Sequence, residues 1–96
     1  MRFLAILGRR TDTFTEQQFE ALLEPEAERV RELYSQGILR SVAGRGDMKG
    51  AVAELECTDA DEAGRAINSL PLAAAGMLDV QMIPLLPYRG FAPKRI

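Results

Sequence analysis

The chain has no histidine and no tryptophan, and Cys57 is its only cysteine. These absences exclude a disulfide framework, a Cys/His zinc site, a histidine-ligated haem and any nucleophile activated by histidine. Long apolar runs are missing too. The start, Met1-Arg2-Phe3-Leu4-Ala5-Ile6-Leu7-Gly8, has the flavour of a secretory leader, but its apolar stretch runs only from Phe3 to Leu7 before Arg9-Arg10. A leader needs an apolar core of about 7–15 residues and a membrane span about 18 or more. No membrane partner and a reducing cytoplasm are expected. There is no basic excess either: 12 basic against 14 acidic side chains give a net charge of −2. Such a chain has no general attraction to nucleic acid.

What is present is ordinary in kind and tight in quantity. Hydrophobic residues make up 47% of the 96-residue chain and charged residues 27%, a globular composition. The length fits one domain, 1–96, with 85–96 as a proline-rich C-terminal tail. A domain this small buries only about 60–65% of the surface its unfolded chain exposes, so the core is thin for so apolar a sequence.

Phe3–Leu7 reads as a buried strand ending at Gly8. Thr15, with Gln18 three residues on, has the form of a capping box. The helix it opens carries Phe19, Leu22, Leu23, Ala27, Val30, Leu33 and Tyr34 on one apolar face. Pro25 should break it near Leu23-Glu24 and sit in the first turn of the restart, and Gly37 should stop it. Strands follow at 38–43 and 51–57, joined by the turn-rich Gly44-Arg45-Gly46-Asp47-Met48-Lys49-Gly50. Asp59 and Glu62 open a second helix with Ala63, Ala66, Ile67 and Leu70 inward, closed by Pro71. A last strand covers 77–83, ahead of Pro84 and Pro87. Cys57 reads as a small buried hydrophobe at a strand end.

The order strand-helix-strand-strand-helix-strand, with right-handed crossovers, predicts an α+β, ferredoxin-like βαββαβ fold: a four-stranded antiparallel sheet with two helices on one face. A sheet covered on one side should alternate apolar and polar residues, but here both sides carry apolar groups. Phe3, Ala5 and Leu7 oppose Leu4 and Ile6; Ala51, Ala53, Leu55 and Cys57 oppose Val52, Glu54 and Glu56; Leu78, Val80 and Met82 oppose Met77, Asp79, Gln81 and Ile83. Two short helices cannot cover both faces. The pattern predicts a homodimer or higher homo-oligomer through the uncovered face, forming a dimeric α+β barrel.

The short motifs yield little. Lys49-Gly50-Ala51-Val52-Ala53-Glu54 opens like an RNA-recognition strand but lacks the aromatic rings on which bases stack. Arg45-Gly46-Asp47 is a turn, and Gly44, Gly46 and Gly50 lack the context of a phosphate loop. The acidic run Glu16, Glu20, Glu24, Glu26, Glu28 and Glu32 reads as a solvated helix face. The strand charges are more telling. If the open face is buried between copies, Arg40, Glu54, Glu56, Asp79 and Gln81 lie in or beside the buried space. There they form either an ion-pair network across the interface or a site where a carboxylate of raised pKa serves as base or acid. Arg9, Arg10 and Asp12 follow the first strand, where a pocket can open. Tyr88, in Pro87-Tyr88-Arg89-Gly90-Phe91, either lends a phenol or anchors the tail by packing.

The element order, Ser69-Leu70-Pro71-Leu72 at the end of the second helix, Leu78-Asp79-Val80-Gln81 and the proline-rich tail resemble the muconolactone delta-isomerase family. They also resemble the wider set of small dimeric α+β barrels that includes YCII-related proteins and cofactor-free monooxygenases. The resemblance spans nearly the whole chain. It implies transposition of a double bond in a small unsaturated lactone or cyclic acid, in aromatic catabolism, with no metal and no cofactor. On that expectation Glu54, Glu56 or Asp79 is the base, Tyr88 the donor, and Arg9 or Arg40 the anion holder, with Glu56 also placed to hold substrate; Asp79 alone carries over from the family pattern. The absence of histidine departs from relatives that use one. Two other functions fit the same residues: a non-catalytic barrel that binds small molecules or serves assembly, and a cofactor-free monooxygenase acting on a phenolic polyketide.

Overall fold

The computed structural model describes residues 1–91; the end of the tail, 92–96, lies outside the described residues. Four strands, β1 (Arg2–Arg9), β2 (Leu39–Gly44), β3 (Gly50–Glu56) and β4 (Leu78–Leu85), form one antiparallel sheet in the order β2-β3-β1-β4. The helical segments are α1 (Glu16–Glu20), α2 (Leu23–Ser35), α3 (Ala60–Asn68) and α4 (Pro71–Ala74). This is the ferredoxin-like arrangement, with each expected helix divided in two. Among the described residues, no helix is long and apolar enough to cross a membrane.

The local signals explain both divisions. Thr15 and Gln18 form the reciprocal capping box of α1, and the chain breaks at Ala21-Leu22, slightly ahead of the expected point. Pro25 then occupies the first turn of α2, where a missing N–H costs no hydrogen bond. At the far end Gly37 has φ +78°, and the N–H groups of Gly37 and Ile38 donate to Tyr34 and Leu33, a Schellman closure. Asp59 caps α3 by accepting the Glu62 N–H at 2.8 Å. Pro71 does more than close that helix. It is the first residue of α4, which ends in a second Schellman closure at Gly76 (φ +72°), with Met77 N–H donating to Leu72.

Register fixes the faces. Ala5 lies opposite Ala53 on one side and Met82 on the other, and Phe3 opposite Leu55. These residues pack under the helices with Leu33, Leu39, Ala63, Ala66 and Ile67 in one core, which Cys57 joins at the end of β3. Burial pushes the Cys57 thiol pKa up, which suits a packing role. Met77 departs from the expected alternation: it lies before β4 and is buried with Phe19 and Leu72 in a smaller cluster. The opposite sheet face carries Leu4, Ile6, Val52 and Ile83 among Arg2, Glu54, Glu56, Asp79 and Gln81. Even on the helix side the edge strands are incompletely covered: Val42 of β2 and Val80 of β4 are exposed.

Candidate active site

Between the sheet and α2 lies a cavity of about 150 Å³, near the volume that holds a benzene ring in an engineered apolar core. Leu7, Ala51 and Ala53 form its strand side and Leu23, Val30 and Leu33 its helix side. Two ionisable groups enter this apolar lining, Glu26 and Arg9. Glu26 is there because Leu23, Glu26, Val30 and Leu33 recur at helical spacing, which sets a carboxylate on the apolar stripe of α2. Its Oε1 accepts the Leu72 backbone N–H at 2.9 Å. Burial raises the Glu26 pKa above the ordinary carboxylate value, against the smaller opposing effects of the Leu72 hydrogen bond and the Arg9 charge. A carboxyl so placed can take a proton from carbon and return it.

Arg9 ends β1 on the helix side of the sheet. Its guanidinium lies 5.2 Å from the centre of the Phe19 ring, a cation–π contact that holds it at the cavity rim. There it also borders a second, more polar hollow of about 470 Å³ lined by Thr11, Thr15, Glu16 and Lys49. Lys49 reaches Glu16 at 3.2 Å, tying the β2–β3 hairpin to α1 across this hollow. The two hollows share Arg9, so one ligand can place a ring in the first and an anionic group toward the second.

Of the residues expected at a site, only Arg9 lines this cavity. Glu54 and Glu56 stand on the open sheet face, in an ion-pair cluster built within one chain: Arg2 to Glu54 at 3.3 Å, Arg2 to Glu56 at 3.8 Å and the N-terminal ammonium to Glu56 at 2.8 Å. That ammonium, with Arg2 and Arg40, holds the Glu56 carboxyl below its ordinary pKa. Arg40 itself is the residue skipped in the β2–β3 register, between Leu39 and Ser41. Asp79 lies opposite Gly8, whereas Glu54 lies opposite Leu4, so strand rise alone separates them by about 13 Å. Asp79 is exposed and meets Arg10 at 3.9 Å. Tyr88 is 71% exposed and packs edge-to-face on Phe91. The expected solvated helix face has one exception, Glu26. The signal for it was in the sequence: a glutamate three residues after Leu23 and four before Val30. Among the described residues, no group of His, Cys, Asp and Glu is arranged to hold a metal ion.

No family profile and no curated protein matches the chain. Solved structures do match. One is 5-chloro-2-hydroxyhydroquinone dehydrochlorinase from Burkholderia phenoliruptrix AC1100, in complex with 2,5-dihydroxybenzoquinone, which superposes with a TM-score of 0.66 at 18% identity over 94% of this chain and 98% of that one. The protein is thus similar in fold, over almost its full described length, to a small ferredoxin-like α+β enzyme.

Proposed function

We propose that the protein is a proton-transfer enzyme acting on a small oxygenated ring compound, with Glu26 as base and acid and Arg9 as anion holder. The observation that carries the reading is the Glu26 carboxyl, set on an apolar stripe inside a ring-sized cavity. Ionised Glu26 removes a proton from a ring carbon activated by the carbonyl system, giving an enolate. Arg9, across the apolar lining, attracts the substrate's carboxylate and the developing negative charge. Protonated Glu26 returns the proton at another carbon, so the double bond moves and nothing is oxidised or reduced. An unsaturated lactone or cyclic acid is the substrate class, as the resemblance to the muconolactone isomerases implies. The structural neighbour, solved in complex with 2,5-dihydroxybenzoquinone, supports a ligand of this size.

The reading includes assembly. The open sheet face, with Leu4, Ile6, Val52 and Ile83, pairs with a second copy of the chain.

The test is incubation of the purified protein with muconolactone and a panel of butenolides in deuterium oxide, followed by proton NMR. Exchange at a ring carbon together with a shifted double bond is expected. Unchanged substrates at high enzyme concentration overturn the reading.

A further inference from the structure

Arg9, Arg10, Arg45 and Lys49 lie together at one end of the sheet. Two of these cations are engaged. Arg45 holds Asp47 through two nitrogens, at 2.9 and 2.7 Å. Arg10 donates to the Gly76 carbonyl at 3.1 Å and meets Asp79 at 3.9 Å. The other two, Arg9 and Lys49, face the hollow of about 470 Å³ beside the ring-sized cavity. Register brings them there. Gly50 pairs with Gly8, and the Arg9 N–H donates to the Lys49 carbonyl at 3.0 Å, so Arg9 and Lys49 stand side by side on the helix face of the sheet.

Neither of this second pair is firmly neutralised. Among the described residues Arg9 enters no ion pair; it lies over the buried Phe19 ring, which holds the guanidinium in place. Lys49 meets Glu16 at 3.2 Å, but both side chains are more than half exposed. An exposed pair of this kind is weak and yields to a competing anion. Glu16 is the only carboxylate on the lining, against two cations and the Thr11 hydroxyl. At about 470 Å³ against about 150 Å³ for the ring cavity, the hollow has far more room than one carboxylate on a ring takes up.

We propose that the hollow is a subsite for a doubly charged anionic group, carried on a short arm by the ring that occupies the neighbouring cavity. Arg9, at the border of the two spaces, and Lys49 hold the dianion between them, with Glu16 displaced from Lys49. Lys49 is then the residue that selects doubly over singly charged substrates. A phosphate monoester and a geminal dicarboxylate both present this chemistry. The inference rests on the function proposed above only for the place of the ring, and asks no chemistry of Glu26.

Calorimetric titration at about pH 8, above the second phosphate pKa, tests it with ligands that share one ring: singly charged phenylacetate, and doubly charged benzyl phosphate and benzylmalonate. At least one dianion should bind about tenfold or more tightly than phenylacetate, and the tighter of them names the source of the charge. In Lys49→Gln that preference should shrink about tenfold with phenylacetate little changed, and Lys49→Arg should restore it. Glu16→Gln removes the competing carboxylate and should strengthen dianion binding about threefold or more. Arg10→Gln takes the same charge from the same end of the sheet outside the hollow, and should leave the preference within about twofold. All these positions are exposed, so the variants should melt with the parent protein. Dianions that bind no better than phenylacetate overturn the subsite alone. An equal loss in Lys49→Gln and Arg10→Gln also overturns it, because the effect is then one of net charge. Failure of all three ligands to bind overturns the ring cavity with it.

Discussion

The Glu26 carboxylate on α2 accepts the backbone N–H of Leu72 on α4 at 2.9 Å. Leu70, at the cap position of α4, offers no side-chain acceptor, so a helix from elsewhere in the chain satisfies a donor that every helix start leaves open. Glu26 therefore has a structural duty as well as the chemical one proposed, and two substitutions separate them. Glu26→Gln keeps an acceptor for Leu72 and should fold normally while turnover falls by about a hundredfold or more. Glu26→Ala leaves that N–H unmet in a half-buried site and should lose about 1–3 kcal/mol by urea denaturation. Full activity in Glu26→Gln leaves the capping role alone standing.

The raised Glu26 pKa has a consequence for stability. The folded protein holds this proton at pH values where the unfolded chain has released it, so between the ordinary value of 4.5 and the raised folded value stability falls as pH rises. Glu56 acts in the opposite sense: its folded pKa is depressed, and its contribution is lost as pH falls through that lower value. Chemical denaturation across pH should show Glu26→Gln flattening the first slope and Glu56→Gln flattening the second. A parallel displacement of the whole curve in either variant contradicts the assignment.

Arg9 supplies a further handle, because its charge draws the Glu26 pKa down. In Arg9→Gln the carboxyl should ionise at higher pH, moving the alkaline-rising limb of the kcat profile upward while KM for an anionic substrate rises about tenfold or more. An unmoved pH profile with a raised KM restricts Arg9 to substrate binding.

Much of this arrangement was legible in the sequence. The capping box at Thr15, the stop at Gly37 and the strand alternation are local signals, and they led to the fold directly. Glu26 was legible in principle, since its spacing from Leu23 and Val30 sets it on the apolar stripe. The acidic run around it masks that signal, because Glu16, Glu20, Glu24, Glu28 and Glu32 do face solvent. Pro71 carries two meanings, helix stop and helix start, and only packing against α2 selects the second. The fates of Glu54, Glu56 and Asp79 were hidden for another reason. Their face followed from alternation, but their distances depend on strand register and on Arg2 and the chain start arriving beside β3.

The open sheet face yields an assembly prediction. Ile6 lies between Val52 and Gln81 at the centre of that face, where a charge disturbs no helix contact. Light scattering should find the parent protein at twice 10.6 kDa or more and Ile6→Lys smaller, with an unchanged circular dichroism spectrum. A parent protein that stays at monomer mass at micromolar concentration defeats sheet pairing.

The hairpin end of the sheet gives the last prediction. Gly8 and Gly50 face each other where β1 and β3 meet, and a Cβ on Gly50 would run into the Leu7 carbonyl oxygen, which is backbone and has little room to move. A Cβ on Gly37 meets nothing within 4 Å, so alanine there suffers only the left-handed conformation, about 1–2 kcal/mol. Gly50→Ala should cost about 3 kcal/mol, since overpacking forces the strands apart. The separated strands carry Leu7 and Ala51, both on the cavity wall. Gly50→Ala should therefore weaken ring-ligand binding at temperatures where the protein is still folded, and Gly37→Ala should not. Thermal melts paired with ligand titration distinguish the two, and equal losses in both variants would mean that the glycines matter only for their backbone angles.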